Sequence, residues 1–178
     1  MTLNGDSIVT CDSHELLLLA PTIRSFLNEA YDGDFSDSDF QNALGGQHFI
    51  RFDSGRLIAH ASVVERSISI DDQLFRVAYV EAVAVAADFR GRKIGSQLMQ
   101  TASDHCRDSF EVAMLSTGEY GFYERFGWSR LEARSFVETA NGLIRTEEED
   151  ECLMLLSEKR ELKDASRVVA HDRAESPW

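Results

Sequence analysis

The chain has 178 residues, 43% of them apolar, with 31 acidic against 18 basic side chains and a net charge of −13. That length suffices for one sizeable core and predicts a single domain, while the acidic balance excludes general nucleic-acid binding, which needs a basic footprint. No apolar run reaches the length of a membrane span, the N-terminus lacks a signal-peptide pattern, and Cys11, Cys106 and Cys152 lack metal-ligand spacing, so no membrane partner, no metal and a cytoplasmic setting are expected.

In chain order, Ser7–Thr10 reads as a short strand. His14 to Asn28 carries Leu16, Leu17, Leu19, Ile23 and Phe26 at helical spacing, with a kink or break expected at Ala20 because Pro21 follows. Asp32-Gly33-Asp34-Phe35-Ser36 forms a turn, and Ser36 or Asp37 caps a short helix that Gly45-Gly46 stops. Strands follow at His48–Phe52, Leu57–Arg66 and Leu74–Val85, joined by turns at Asp53-Ser54-Gly55 and Asp71-Asp72. A helix runs from Gly95 to about Arg107 with Leu98, Met99, Ala102 and Cys106 on one broad face. Val112–Leu115 is a strand ending at Ser116, and Gly121–Phe126 is a short helix stopped by Gly127. The last strands are expected at Trp128–Val137 and Cys152–Leu156, with Glu147–Glu151 as an acidic loop between them. The order ββαβ in the middle implies an α/β (α+β) fold, a mixed sheet with helices on its faces.

The chemistry concentrates in Tyr79-Val80-Glu81-Ala82-Val83-Ala84-Val85 and in Arg90-Gly91-Arg92-Lys93-Ile94-Gly95. A strand running into a basic, Gly-containing turn at a helix N-terminus suits phosphate, through oriented N–H groups and the helix dipole. Glu81 places a carboxylate in the strand that leads there. By residue type it is either a proton acceptor with a raised pKa or a strand-edge charge. Tyr123 is likewise either a phenol that donates a proton or a packed aromatic.

Order and spacing resemble the Gcn5-related N-acetyltransferases, through Val83 to Gly95 and Phe122-Tyr123-Glu124-Arg125-Phe126-Gly127-Trp128. Within them the chain resembles the aminoglycoside 2′-N-acetyltransferases, through Gly33-Asp34-Phe35, Leu44-Gly45-Gly46-Gln47-His48, Tyr79-Val80-Glu81 and a final Trp178. The resemblance implies a central, mostly antiparallel sheet with splayed middle strands. It also implies acetyl-coenzyme A as co-substrate and transfer of its acetyl group to the 2′-amine of an aminoglycoside, either a 2-deoxystreptamine type or kasugamycin.

Residue roles follow from the same resemblance. Glu81 acts as base through water, the Val83 amide stabilises the carbonyl oxyanion, and Tyr123 is the acid. The backbone of Val83, Ala84 and Val85 pairs with the pantetheine arm, and Arg90, Gly91, Arg92 and Lys93 with Ile94, Gly95 and Ser96 take the phosphates. Lys93 departs from the family pattern by standing at the inner glycine position, where Gly91 is expected to supply some of the lost backbone freedom. Acceptor residues are Asp34, Asp39, Glu81 and Ala82, then Ser116, Glu149 and the Trp178 carboxylate, held in a tail of about 157–178. Asp34 and the acids around Glu149 also read as turn and solvated-loop residues. Related enzymes carry an aspartate where this chain has Ser176, which suits an acceptor with fewer amines or one with its own carboxylate, as in kasugamycin, for which Arg173 is the expected partner. His171, Asp172 and Arg173 lie nearby in sequence, and a homodimer is implied. Two alternatives stand beside this reading: an acetyltransferase for another natural amine or amino sugar, and a non-catalytic acetyl-coenzyme A-binding module. Keeping both Glu81 and Tyr123 argues against the second.

Overall fold

The computed structural model describes residues 7–11 and 13–171, with the side chains of Ser13, His14 and Arg160 outside that description. Trp178, Ser176, Asp172 and Arg173 therefore lie outside the described residues. The elements are β1 (Val9–Cys11), α1 (Ser13–Ala30), α2 (Asp37–Ala43), β2 (Gln47–Asp53), β3 (Arg56–Ile70), β4 (Gln73–Val85), α3 (Ile94–Ser109), β5 (Val112–Ser116), α4 (Tyr120–Tyr123), β6 (Ser129–Arg130), β7 (Arg134–Thr139), β8 (Gly142–Arg145), β9 (Leu153–Leu156) and β10 (Arg167–Ala170). No helix among the described residues is long and apolar enough to cross a membrane.

The chain divides into two compact units, one of residues up to Val64 plus Val80–Asp104, the other of Glu65–Tyr79 plus the residues from His105 onward. In the first, β1, β2 and β3 pair antiparallel in that order, with His48 opposite Ser62 and Ile50 opposite His60. Its core is drawn from α1 (Leu16, Ile23, Leu27), from Phe49 and Ile58, and from Leu98 of α3. Each such side chain contributes about 1.5–3 kcal/mol on burial. Gly46 sits so close to β3 that a Cβ there would lie 2.1 Å from the Val63 carbonyl oxygen. No other residue fits.

In the second unit the strands run β6-β9-β5-β4-β3-β10-β7-β8. β4 and β5 are parallel, with Val77 to Tyr79 against Val112 to Met114, and so are β7 and β10. The remaining registered pairs are antiparallel, which is the mixed, mostly antiparallel pairing expected. Cys11 and Cys106 are buried and in no disulfide, and burial pushes Cys106 up to about 12, so it stays a thiol at neutral pH.

Four expectations need correction. Of the kink or break expected at Ala20, the break does not occur, because α1 passes through Pro21. Pro21 is exposed and removes the donor that would meet the Leu17 carbonyl, while the buried Leu16 and Ile23 anchor the helix on either side. Trp128–Val137 is two strands, since β6 pairs with β9 whereas β7 pairs with β8 and β10. β8 was not expected, although Asn141-Gly142 is a hairpin signal and Gly142 has φ 108°. β10 lies inside what the sequence reads as a tail, and it gains its ladder partners, β3 and β7, only in the fold.

Candidate active site

In the first unit, the end of β4 leaves regular strand geometry. Ala82 has φ 51°, a left-handed conformation that costs a residue with a Cβ about 1–2 kcal/mol. Three successive carbonyls there are held by side chains. Ser62 Oγ donates to Glu81 O at 3.3 Å, His60 Nδ1 to Ala82 O at 2.8 Å, and Tyr31 Oη to Val83 O at 3.1 Å. Backbone held in this way is independent of a neighbouring strand's ladder, which permits a bulge. Glu81, Ala82 and Val83 are half-buried and Ala84 is buried.

The chain then turns through Ala87–Phe89, where Arg56 pairs with Asp88 at 2.7 Å and draws its carboxyl below the usual range. Arg90 Nε donates to Val85 O at 3.2 Å and Arg92 to Asp88 O at 3.0 Å, so both guanidiniums fold over the turn. Gly91 (φ 77°) and Lys93 (φ 63°) are both left-handed. Lys93 thus adopts the conformation a glycine would supply. The bond from Gln97 N to Lys93 O, 3.0 Å, opens the helical ladder, and the amides of Ile94, Gly95 and Ser96 precede it without intrahelical acceptors. The first turn of α3 holds no acid. Three exposed cations and these amides fit a phosphate-bearing ligand.

Asp34 is exposed in the turn after α1, its N–H bonded to Tyr31 O at 3.0 Å. Asp39 has a structural task, because its Oδ2 accepts from Ser36 N at 2.9 Å while Ser36 Oγ accepts from Asp39 N at 3.1 Å. That reciprocal pair is a capping box for α2. Arg24 steadies the segment by donating to Phe35 O at 2.6 Å and pairing with Asp37 at 2.8 Å.

The second unit holds the remaining candidates. Ser116, at the end of β5, donates to Glu149 Oε2 at 2.8 Å, so these two residues, 33 positions apart, meet. Glu149 sits on the 3-10 turn Glu147–Glu149, which Asp150 secures by accepting from the Ser135 N–H at 2.8 Å and from Arg145 at 2.7 Å. Arg145, with Ser135, draws the Asp150 carboxyl down to about 2. The acidic run is therefore a turn pinned through Asp150, with Glu147, Glu148 and Glu151 exposed to solvent as expected. Tyr123 ends α4 and is buried. Burial pushes its phenol up to about 12, against a hydrogen bond with Thr117 and with the nearby Glu119 charge adding to the rise. It keeps its proton at neutral pH.

Sequence reasoning missed Tyr31, His60 and Ser62, and met His48 only within a longer motif. For the three strand residues, polar groups inside apolar strand patterns were the available signal, since a buried polar group needs a partner, whereas Tyr31 lies in the turn after α1 and carried none. No cluster of three or more potential metal ligands occurs among the described residues.

Residues 19–131 match a family model described as an acetyltransferase (GNAT) domain. The chain is 38% identical over 135 residues to an aminoglycoside 2′-N-acetyltransferase of Mycolicibacterium fortuitum, covering 75% of this chain and 69% of that protein. Among solved structures it is similar to the GNAT family N-acetyltransferase YhbS of Escherichia coli, solved in complex with CoA: TM-score 0.67, 15% identity, 92% of this chain and 88% of that one. It is also similar to a GNAT family acetyltransferase of Brucella melitensis in complex with acetyl-CoA, with TM-score 0.55, 18% identity, 70% of this chain and 84% of that one. Several other solved matches are longer, and the chain spans about a third of their length. At these identities the solved structures establish the fold alone.

Proposed function

The chain belongs to the GNAT acetyltransferases, and from that premise we propose that it moves the acetyl group of acetyl-coenzyme A to the 2′-amine of an aminoglycoside. The observation that carries this reading is the stretch Glu81–Val85, with its carbonyls held by side chains, running into the basic turn Arg90–Lys93. The match to the M. fortuitum enzyme supports the acceptor class.

Acetyl-coenzyme A supplies the acetyl group as an activated thioester. Five tasks fall to residues of this chain. Arg90, Arg92 and Lys93, with the amides of Ile94, Gly95 and Ser96, bind the phosphates, and the backbone of Val83, Ala84 and Val85 aligns the pantetheine arm. Glu81 takes a proton from the acceptor ammonium, directly or through water, because an ammonium is no nucleophile. The Val83 N–H stabilises negative charge growing on the carbonyl oxygen. Tyr123 gives its proton to the departing thiolate. One C–N bond forms and one C–S bond breaks; the attacking nitrogen gives its second proton to the Tyr123 phenolate, directly or through water, and Glu81 passes its proton to solvent.

Acceptors for the aminoglycoside's ammonium and hydroxyl groups are Asp34, the Ser116–Glu149 pair and the backbone at Ala82. Asp39, tied into its cap, adds charge. The reading carries with it a cytoplasmic setting and a homodimer.

Thiol release from acetyl-coenzyme A tests it across a panel of 2-deoxystreptamine aminoglycosides, kasugamycin, polyamines and simple amino sugars, with NMR locating the acetyl group. The expected product is the 2′-N-acetyl aminoglycoside. Turnover confined to polyamines or simple amino sugars would overturn the acceptor. Binding of acetyl-coenzyme A without turnover on any amine would overturn the reaction.

A further inference from the structure

Two buried histidines of the first unit have no part in the chemistry above. His48 on β2 and His60 on β3 are both inaccessible to solvent, and His48 Nδ1 lies 2.9 Å from His60 Nε2. Register explains the meeting: His48 is opposite Ser62, so His60 is its diagonal neighbour on the same face. His60 Nδ1 lies 2.8 Å from Ala82 O. A carbonyl oxygen only accepts, so His60 Nδ1 bears a proton. Burial holds both imidazoles neutral, lowering them to about 4 for His48 and about 3 for His60. A neutral His60 protonated at Nδ1 has a bare Nε2, and His48 Nδ1 must be its donor. His48 Nε2 is then bare, buried and without a partner among the described residues. The chain of donors therefore runs one way, from His48 to His60 to the Ala82 carbonyl.

That carbonyl belongs to the peptide unit joining Ala82 to Val83. The unit is planar and trans, so its C=O and N–H point in opposite directions. Whatever fixes the carbonyl also aims the Val83 N–H. Ala82 is left-handed although it is not glycine, so the local conformation needs support from outside the strand. A hydrogen bond to the carbonyl also polarises the amide and strengthens its N–H as a donor. Ser62 and Tyr31 hold the carbonyls on either side, but neither acts on this peptide unit.

We propose that His60, backed by His48, is a positioning residue that holds the Ala82–Val83 peptide with its N–H directed at the thioester carbonyl. The inference rests on the reading of Val83 as the oxyanion donor. Neither imidazole touches substrate. Their effect passes through the backbone.

Three measurements test it. Nitrogen-15 NMR of the ligand-free protein should find both rings neutral, protonated at Nδ1 and bare at Nε2; an Nε2–H tautomer at His60 overturns the proposal. Infrared difference spectra with acetyl-coenzyme A labelled at the thioester carbonyl should show that band lowered on binding to the wild type. His60→Ala should lose the shift, whereas His60→Asn, whose Nδ2 stands where Nδ1 stood, should keep it. In turnover, kcat of His60→Ala should fall about 10- to 100-fold, less than the roughly 10²–10³ for an oxyanion donor removed outright, with KM for acetyl-coenzyme A within about twofold. A wild type with no band shift overturns the Val83 reading and this inference together. A shift and kcat retained in His60→Ala overturn the positioning role alone. If His60→Ala does not fold, His48→Phe removes the backing donor only; its band shift should be reduced, and a shift equal to wild type overturns the role of the pair.

Discussion

Glu81 and Tyr123 are assigned opposite proton duties, and pH separates them. Glu81→Gln should lower kcat/KM about 10²- to 10⁴-fold near pH 7, the range for a lost general base. The loss should shrink as pH rises and free amine accumulates in solution. A loss that is constant with pH would remove Glu81 from that role. For Tyr123 the sign runs the other way. An ordinary phenol begins to lose its proton near pH 9, but burial raises this one to about 12. The acid form therefore persists, and kcat should show no alkaline fall from this group through about pH 10. Tyr123→Phe should depress kcat far more than it weakens acetyl-coenzyme A binding. Intact turnover with lowered stability would make Tyr123 a packing residue.

Among the elements, the turn before α3 carries the clearest trade. Gly91 and Lys93 are both left-handed, and Lys93 bears the strain of its Cβ. Lys93→Gly should relieve up to about 1–2 kcal/mol of that strain, offset by the greater freedom glycine has when unfolded, so the melting temperature should hold or rise. Coenzyme A should bind a few-fold more weakly, since an exposed cation contributes about 1 kcal/mol or less. Calorimetric titration reads the second effect, and an unchanged Kd would show that Lys93 does not meet a phosphate. The same lysine shows how a pattern departure resolves in three dimensions. The sequence predicts that Gly91 supplies some of the lost freedom, and Gly91 and Lys93 share the left-handed conformation.

For the whole molecule, two effects oppose each other as pH falls. Protonating surface carboxylates relieves the self-repulsion of a net charge of −13, and at about 0.15 M salt that repulsion is screened beyond about 8 Å. The buried histidines act the other way. Their pKa values are about 4 and about 3 in the fold against an ordinary 6.5, so the unfolded chain binds more protons between those limits. Their contribution is fully present above pH 6.5 and is lost progressively below it. Urea midpoints should therefore be lower at pH 5 than at pH 7.5 in physiological salt. Midpoints that stay equal at about 1 M salt, where the surface repulsion is screened to about 3 Å, would mean that the pair titrates in the fold as it does in water.

What the sequence by itself determined was whatever depends on neighbours along the chain. The helix periods at Leu16–Leu27 and Leu98–Cys106, the capped start at Ser36, the positive-φ turns at Ser54-Gly55 and Asp71-Asp72 and the basic turn before α3 are local, and all form. The carboxylate in β4 and the tyrosine after β5 were legible for the same reason, since each sits in a motif of contiguous residues. Tertiary structure decided the rest. It carried α1 through Pro21, split Trp128–Val137 between two sets of partners and made residues 167–170 a strand between β3 and β7. It also brought Ser116 to Glu149 and His48 to His60, and through His60 reached the Ala82 carbonyl. Those contacts depend on strand register. Within the β2–β3 hairpin register follows from the turn, and between strands distant in sequence it follows from which faces are buried together, which neighbours along the chain do not report.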